Sequence, residues 1–306
     1  MVKKQTVTIG IPAYNEEQNI GVLLSKLLAQ KQIHYKLKEI LIYLDGSTDH
    51  TKSIIKSFKN KNIKIIEGEK RIGQQEAQNT LLKKYTSEYI VFIEADVLPK
   101  STKTIDELII PFLDPKNTQV GMVVGNESEL PPKTFFEKIA CQGGIVKKQI
   151  AQEWRQSDNI YNSGGHAMKA LSRKFVKQLE WPKSVPEDSY AYLRLKEVGL
   201  QMKKQMKATT CMRNVAHVGD SIKQSRKFVT GKKALEQYFE KEVIQKEFNF
   251  PRKLFFKHLF LQGMHSPFFT FLFLFQIIIN RTLTLGQNKF NELYTPYNSS
   301  KLLINK

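Results

Sequence analysis

The amino-acid sequence predicts an α/β fold with a mainly parallel sheet and helices on both faces. Three observations favour it: strand-like and helix-like segments alternate over the first two-fifths of the chain, the strand-like runs are largely apolar, and polar loops follow several of them. The composition is that of a globular protein, with 41% hydrophobic and 25% charged residues. The expected strands are residues 6–11, 39–44, 63–66, 89–93 and 120–125.

The segments between these strands carry helical patterns. In the first, apolar residues from Ile20 to Leu28 recur at the helical period, and Asn15 is expected to cap this helix. The other expected helices in this half cover residues 48–58, 73–85 and about 101–113. The βαβ order places the carboxyl ends of the strands at one edge of the sheet, where such folds bind ligands.

Three of these strand ends are polar or acidic, at residues 12–16, 45–49 and 94–96. Acidic residues gathered at one sheet edge are unexpected in a protein with a formal net charge of +19. Oxygen ligands of this kind suit a divalent cation, with a phosphorylated molecule as its other partner. The sequence therefore predicts a site for a cation and a phosphorylated ligand at this edge.

The positive charge has two interpretations. Nucleic acid, anionic lipid and phosphorylated small molecules would all attract it, but the lysines are scattered and are equally explained as solvated surface groups. Only two cysteines, Cys141 and Cys211, are present, which favours a reduced cytosolic protein. No hydrophobic stretch of signal-peptide length follows Lys3 and Lys4, so we expect no secretion by that route.

The last ninety residues have a different character. Residues 220–247 are basic and helix-like, and residues 254–261 and 267–279 are apolar. The second apolar run is shorter than the ~20 residues that a spanning helix needs. It is compatible with a place in the membrane interface, a dip into the bilayer, or a cover over a soluble core. Flanking lysines and arginines favour an anionic membrane surface.

Six short motifs follow one another along residues 6–230, and together they resemble glycosyltransferase family 2, whose members have the GT-A fold. They are Pro-Ala-Tyr-Asn-Glu at 12–16, Asp-Gly-Ser-Thr-Asp-His-Thr at 45–51, the trio Gly73, Ala77 and Asn79, Glu-Ala-Asp at 94–96, Gly164-Gly165 with Ala167-Met168, and Glu187-Asp188. The resemblance implies a catalytic domain at 1–218, with a nucleotide-binding half (about 1–125) and an acceptor half (126–218). Residues 219–306 would form a helical, membrane-associating region.

The resemblance also implies a donor site. Its expected members are Pro12, Tyr14, Glu16, Asp45, Arg71, Glu94, Ala95 and Asp96. Asp96 is the expected ligand of Mg²⁺ or Mn²⁺, and His217 would complete the metal shell. Two residues depart from the family pattern: Leu44 stands where many members have a second Asp, and Glu94 stands where they have the first Asp of the metal motif. Arg71 would pair with a donor phosphate or remain a solvated loop charge.

The same resemblance assigns catalysis to Asp188, as the general base that takes the proton from an acceptor hydroxyl, with Glu187 orienting it. Gly164, Gly165 and His166 would lie on the acceptor side. Residues 224–228 distantly resemble the Gln-x-x-Arg-Trp motif of chain-extending members, and Arg226 or Lys227 would reach the diphosphate.

We therefore predict an inverting, metal-dependent glycosyltransferase. It would use a UDP-, GDP- or dTDP-sugar and a glycan or lipid-linked acceptor, in cell-envelope glycan or glycolipid synthesis at the cytoplasmic face of the membrane. The alternatives are a polyisoprenyl-phosphate glycosyltransferase, a processive polysaccharide synthase and a non-catalytic GT-A scaffold. A nucleic-acid-binding protein would explain the charge, but no recognition motif is apparent, so we expect no nucleic-acid partner.

Overall fold

The computed structural model describes residues 4–154, 158–163 and 167–284. The strands are β1 (Gln5–Ala13), β2 (Tyr35–Asp45), β3 (Ile63–Gly68), β4 (Tyr89–Ile93), β5 (Leu98–Pro99), β6 (Val120–Glu129), β7 (Met168–Ser172) and β8 (Gln201–Met212). The helices are α1 (Ile20–Leu28), α2 (Thr51–Ser57), α3 (Gln74–Lys84), α4 (Thr104–Leu113), α5 (Phe135–Glu153), α6 (Ile160–Ser163), α7 (Arg173–Val176), α8 (Glu187–Glu197), α9 (Val218–Leu235), α10 (Lys241–Glu247), α11 (Arg252–His265) and α12 (Pro267–Thr284).

All eight described strands form one sheet, in the order β3-β2-β1-β4-β7-β6-β8-β5. Among them, β1 pairs in parallel with β2 and β4, and β2–β3 and β6–β8 are also parallel. Three pairings, β4–β7, β6–β7 and β5–β8, are antiparallel. The predicted α/β class is confirmed, and the reversed strand β7 lies in the middle of the sheet between two strands that run the same way as β1.

Side chains alternate between two hydrophobic cores, one on each face of the sheet. On β2, Ile40 and Ile42 belong to the first core, with α1 and α4, whereas Leu41 and Tyr43 belong to the second, with α3 and α8. Because both faces are covered, the strands carry nearly continuous apolar sequence. Their polar loops lie at the edges.

Several expected element bounds were wrong. Helix α1 begins at Ile20 with Asn19 at its N-cap, so Asn15 does not cap it. The backbone of Asn15 has a φ of 52°, and its Oδ1 accepts a hydrogen bond from the Thr48 amide. Helix α2 begins at Thr51 rather than at 48, and β6 continues to Glu129.

The described part of the C-terminal region, up to Thr284, contains four helices. The basic stretch at 220–247 is two helices, α9 and α10, and their residues Leu235 and Ile244 are fully buried in the second core. Helices α11 and α12 pack on α5, and α12 also packs on α9. Helix α12 is long and apolar enough to cross a membrane. The predicted boundary between 218 and 219 stays a prediction.

Candidate active site

The loops after β1 and β2 are fastened to each other by hydrogen bonds. The amide of Asn15 donates to Ser47 Oγ (3.1 Å), and the amide of Glu16 donates to Thr51 Oγ1 (2.8 Å). Asp49 accepts from the amides of Glu17 (3.1 Å) and Thr51 (3.0 Å). The two predicted donor motifs therefore form one assembled surface at the carboxyl edge of the sheet.

Gly46 and Asp45 attach the loop that follows β3 to this surface. Gly46 has a φ of 67°, and a Cβ there would lie 2.8 Å from the backbone nitrogen of Arg71. The carboxylate of Asp45 accepts hydrogen bonds from the amides of Ile72 (2.6 Å) and Gly73 (3.0 Å). Each carboxylate oxygen has a second lone pair, so the base-reading role expected for Asp45 stays a prediction.

Tyr14 and Arg71 form a stacked pair. The Arg71 guanidinium lies 4.0 Å from the centroid of the Tyr14 ring, a cation–π contact. Arg71 is partly buried, and its pairing with a donor phosphate stays a prediction. Arg71 covers one face of the Tyr14 ring, and the role of both residues in donor binding stays a prediction.

The remaining predicted donor residues lie on the same edge. Pro12 is on β1 opposite Tyr43 of β2, and Glu16 is buried with its Oε2 accepting from Asn19 Nδ2 (3.0 Å). Ala95 is buried between Glu94 and Asp96, which are both partly buried just beyond β4.

Helix α3 holds the segment that leads into α8. Asn79 exchanges two hydrogen bonds with the backbone of Trp181, at 2.7 and 3.0 Å, and Gln75 Nε2 donates to the Val185 carbonyl (2.6 Å). The indole of Trp181 is buried and donates to the carbonyl of Glu187 (2.8 Å). These contacts fix the first turn of α8, which carries the predicted catalytic pair.

Asp188, in that first turn, is ion-paired with Lys169 of β7. The ammonium of Lys169 donates to Asp188 Oδ1, and the exposed fractions of the two side chains are 5% and 14%. Burial alone would lower the pKa of Lys169, but the carboxylates of Asp188, Glu187 and Glu94 outweigh it and raise that pKa. Lys169 therefore stays positively charged and is held against the carboxylate of the predicted base.

A second lysine approaches the cluster from α9. Lys227 Nζ lies 4.0 Å from Glu187 Oε2. Burial opposes the charged form of Lys227, and the carboxylates of Glu187, Glu94 and Asp188 overcome it, so its pKa is raised. Arg226, one residue earlier, is exposed. Of the two cations predicted to reach the diphosphate, Lys227 is the one that faces this cluster.

Glu94 has a strongly raised pKa. Burial, followed by the charges of Asp96, Asp188 and Glu187, raises the pKa of Glu94 to about 8. Glu94 thus lies within electrostatic reach of three other carboxylates, at the end of β4 and the start of α8, and Lys169 and Lys227 are close to the same group. The site is acidic although the protein as a whole is basic.

This donor set fits a divalent cation. Carboxylate oxygens are the ligands that Mg²⁺ and Mn²⁺ prefer, and Mg²⁺ commonly takes only one or two of them beside substrate phosphates and water. The part of the chain that the structure describes contains no group of three or more His, Cys, Asp or Glu side chains arranged to hold a metal. His217 is exposed at the N-terminus of α9, so its ligand role stays a prediction.

Gly164, Gly165 and His166 lie outside the described residues. A groove of about 530 Å³ lies beyond the end of β6, lined by Leu130, Pro131, Lys138, Ile145 and Phe269 among others. It is distinct from the carboxylate cluster and is bordered by α5 and α12.

Lys169 and Trp181 are the site residues that motif reasoning missed. One signal was present for Lys169, because a lysine stands inside the apolar run Met168-Lys169-Ala170-Leu171. Lysine is almost never fully buried unless it is paired. Its burial therefore required a carboxylate nearby.

Comparisons with known proteins identify the family of this chain. Residues 8–178 match the model of the family "Glycosyl transferase family 2". The chain is 26% identical over 191 residues to the Escherichia coli UDP-Glc:α-D-GlcNAc-diphosphoundecaprenol β-1,3-glucosyltransferase WfgD, over 62% of this chain and 69% of that protein. It is 33% identical over 135 residues to the poly-β-1,6-N-acetyl-D-glucosamine synthase of Staphylococcus epidermidis, over 42% of this chain and 30% of the synthase.

The fold has a solved counterpart in the mannosyltransferase PcManGT from Pyrobaculum calidifontis, in complex with GDP-Man and Mn²⁺. The TM-score is 0.62 at 18% identity, and the match covers 92% of this chain and 83% of that structure. At this identity the likeness shows the shared fold.

Proposed function

Since the chain belongs to glycosyltransferase family 2, we propose that it transfers one sugar from a nucleotide-sugar donor to an acceptor hydroxyl, with inversion at the sugar C1. The observation that carries the proposal is the first turn of α8. There Asp188 is fixed by Lys169 and lies within electrostatic reach of Glu94, next to the donor motifs.

In the proposed reaction, the acceptor oxygen attacks C1 from the face opposite the diphosphate. Asp188 takes the hydroxyl proton as the new C1–O bond forms, and the bond from C1 to the diphosphate oxygen breaks with its electron pair on the leaving group. Lys169 keeps Asp188 in place through the ion pair between them. Glu187, held through its own carbonyl by Trp181, keeps Lys227 beside the cluster.

The negative charge that develops on the diphosphate needs a positive partner. Asp96 is the residue we assign as the principal ligand of Mg²⁺ or Mn²⁺, with Glu94 and His217 as candidates for further contacts. When bound, the ion would neutralise charge on the leaving diphosphate. Lys227 is placed to add to this stabilisation, because it faces the carboxylates at the end of β4.

The nucleoside of the donor would lie on the surface formed by Tyr14, Arg71 and Asp45. Tyr14 and Arg71 offer a flat, cationic platform for a base and a phosphate. Asp45 offers carboxylate oxygens to an imino hydrogen of a uracil- or guanine-like base.

The acceptor is proposed to be a glycan or lipid-linked glycan of the cell envelope, at the cytoplasmic face of an anionic membrane. Two observations support a lipid-linked molecule: the mostly apolar groove beside α5 and α12, and the apolar surface of α11 and α12. WfgD, by its name, acts on a diphosphoundecaprenol-linked sugar.

Thermal stabilisation by nucleotides and product analysis test the proposal together. UDP, GDP, dTDP and their common sugar conjugates would be added with and without Mn²⁺. One nucleotide class should raise the melting temperature of the protein in a metal-dependent way. The anomeric configuration of the product, read by NMR coupling constants, should be opposite to that of the donor. A folded protein that responds to none of these donors would contradict the proposed function, and so would retention of the anomeric configuration.

A further inference from the structure

The buried residues of helix α12 are polar, and most of its highly exposed residues are apolar. Thr270, Asn280 and Thr284 are its buried residues. The outward positions are more than half exposed: Phe268, Phe271, Phe275, Ile278 and Leu283. This is the reverse of a helix that covers a water-soluble core, where the apolar face is the buried one.

Two polar residues on the inward side of α12 are bonded to helix α9. Gln276 Nε2 and Asn280 Nδ2 both donate to Ser221 Oγ of α9, at 2.6 and 2.9 Å. The backbone of α5 is also contacted directly, since a Cβ on Gly143 would lie 2.3 Å from the ring of Phe273. Helix α12 is therefore attached to α9 through polar contacts and to α5 at a glycine.

Helix α11 shows the same inversion. Its buried residues are His258 and Gln262, which contact Glu153 (2.8 Å) and Gln142 (2.7 Å) of α5. Phe256, Phe260 and Met264, each four residues apart, are all more than 60% exposed. Only Ser266 separates the two helices, which pack against each other, and their exposed apolar residues together are here called the outer face.

We propose that the outer face of α11 and α12 inserts into one leaflet of an anionic membrane, with both helices lying in the plane of the interface and neither crossing the bilayer. The inference rests on the proposed function, of which it specifies the membrane partner. An exposed apolar patch to which two neighbouring helices contribute marks an interaction site. Polar residues directed inward and apolar residues directed outward are expected where the surrounding medium is lipid.

Packing against the catalytic domain excludes a crossing orientation. Helix α12 contacts α5 and α9 at Phe273, Gln276 and Asn280 along its length. A perpendicular α12 would draw these two helices into the hydrocarbon with it, including the exposed side chains of Lys147 and Lys223. Charged groups at that depth are costly. A helix lying in the interface keeps them in water.

Charge favours a lipid leaflet over a second copy of this chain. Residues 252–284 contain no Asp or Glu, and Arg252, Lys253 and Arg281 are exposed, whereas Lys257 is paired with Glu153 of α5 (2.8 Å). Two such faces would repel each other across a symmetric dimer. Anionic head groups would instead attract each basic residue.

Vesicle flotation tests insertion. The wild type, a variant with Phe260→Ser, Phe271→Ser and Phe275→Ser, and the control Ile33→Ser would be mixed with phosphatidylcholine vesicles, with and without phosphatidylglycerol. Ile33 is also apolar and exposed, but it lies before the amino end of β2, at the sheet edge opposite the one that carries the candidate site. The wild type and the control should float with anionic vesicles. The partition coefficient of the triple variant onto these vesicles should be lower by roughly tenfold or more.

Thermal stabilisation by the donor separates this inference from the proposed function. The triple variant should still be stabilised by the donor, because the three substitutions lie outside the donor site. Flotation of the triple variant like the wild type would overturn the inference. So would a wild-type dimer that fails to float and becomes monomeric in the triple variant, since a second copy would then cover the face.

Protease accessibility tests the in-plane orientation. An epitope tag after Lys306 on protein added to sealed anionic vesicles should be fully digested by external protease. A tag that stays protected until detergent is added would show that α12 crosses the bilayer, and would overturn this part of the inference.

Discussion

Lys169, on the reversed strand β7, donates a hydrogen bond to Asp188, in the first turn of α8, and both side chains are largely shielded from water. β7 lies between β4 and β6, and α8 begins at a loop that α3 holds, so the ion pair joins the centre of the sheet to the helix with the predicted base. A general base must be held within hydrogen-bonding reach of the proton it takes. Lys169 performs that positioning for Asp188.

Replacing Lys169 with Met should therefore affect both stability and turnover. Removing one partner of a buried ion pair costs about 3 kcal/mol of unfolding free energy, and the misplaced base should lower kcat by about 10²-fold with the donor KM little changed. Lys169→Arg, which keeps the charge, should restore part of the rate. Lys83→Met removes an exposed lysine 3.9 Å from Glu180 and should change neither property. Equal losses in Lys169→Met and Lys169→Arg would contradict the role of the charge.

A pair of glycines tests the assembly of the donor surface. Gly46 and Gly199 both have positive φ, 67° and 72°, so Ala at either position should cost about 1–2 kcal/mol of stability. A Cβ at Gly46 would meet the backbone of Arg71, whereas nothing lies within 4 Å of one at Gly199. Gly46→Ala should weaken donor binding by roughly tenfold, about 1.4 kcal/mol. Calorimetric titration should find the donor affinity of Gly199→Ala unchanged. Equal donor affinities in the two variants would contradict the role of Gly46 in forming the donor surface.

The pH dependence of stability should reveal the buried pair of Glu137 and Arg213, 3.1 Å apart between α5 and the end of β8. Burial opposes the ionised form of Glu137, but the amides of Lys133 and Thr134 and the Arg213 guanidinium outweigh it and lower its pKa. A lowered folded-state pKa gives stability that is present above the ordinary value of 4.5 and is lost as the pH falls through the folded value.

Glu137→Gln should thus be less stable than the wild type by about 3 kcal/mol at neutral pH, and the difference should shrink below pH 4.5. Urea unfolding at a series of pH values measures it. Glu67→Gln, at an exposed carboxylate paired with Lys52, should leave the urea midpoint unchanged at neutral pH. A difference that is constant from neutral to acid pH would show that the charge of Glu137 is irrelevant.

The sequence was sufficient for the class of fold and for the edge that carries the site, because apolar strands followed by polar loops constrain both. It was insufficient where a side chain's partner is distant in sequence. Lys169 and Asp188 are 19 residues apart, and the expected cap at Asn15 was wrong because its side chain bonds instead to the loop at Thr48.

The orientation of α12 was also beyond the sequence. Gln276, Asn280 and Thr284 recur every fourth residue, which fixes one polar stripe on the helix. In water that stripe would face outward. In the structure, Gln276 and Asn280 bond to Ser221, so the stripe faces inward, and Phe268, Phe271 and Phe275 are exposed.

The assignment of Asp188 as general base is the central claim, and the transfer rate of Asp188→Asn tests it most directly. Asparagine keeps the shape of the side chain but cannot take the proton, so transfer to a hydroxyl acceptor should fall by about 10²-fold or more while the donor still stabilises the protein. Glu197→Gln, at an exposed carboxylate on the same helix, serves as the control and should transfer normally. Transfer by Asp188→Asn at the wild-type rate would contradict the assignment, and it is the result expected for an acceptor phosphate that needs no base.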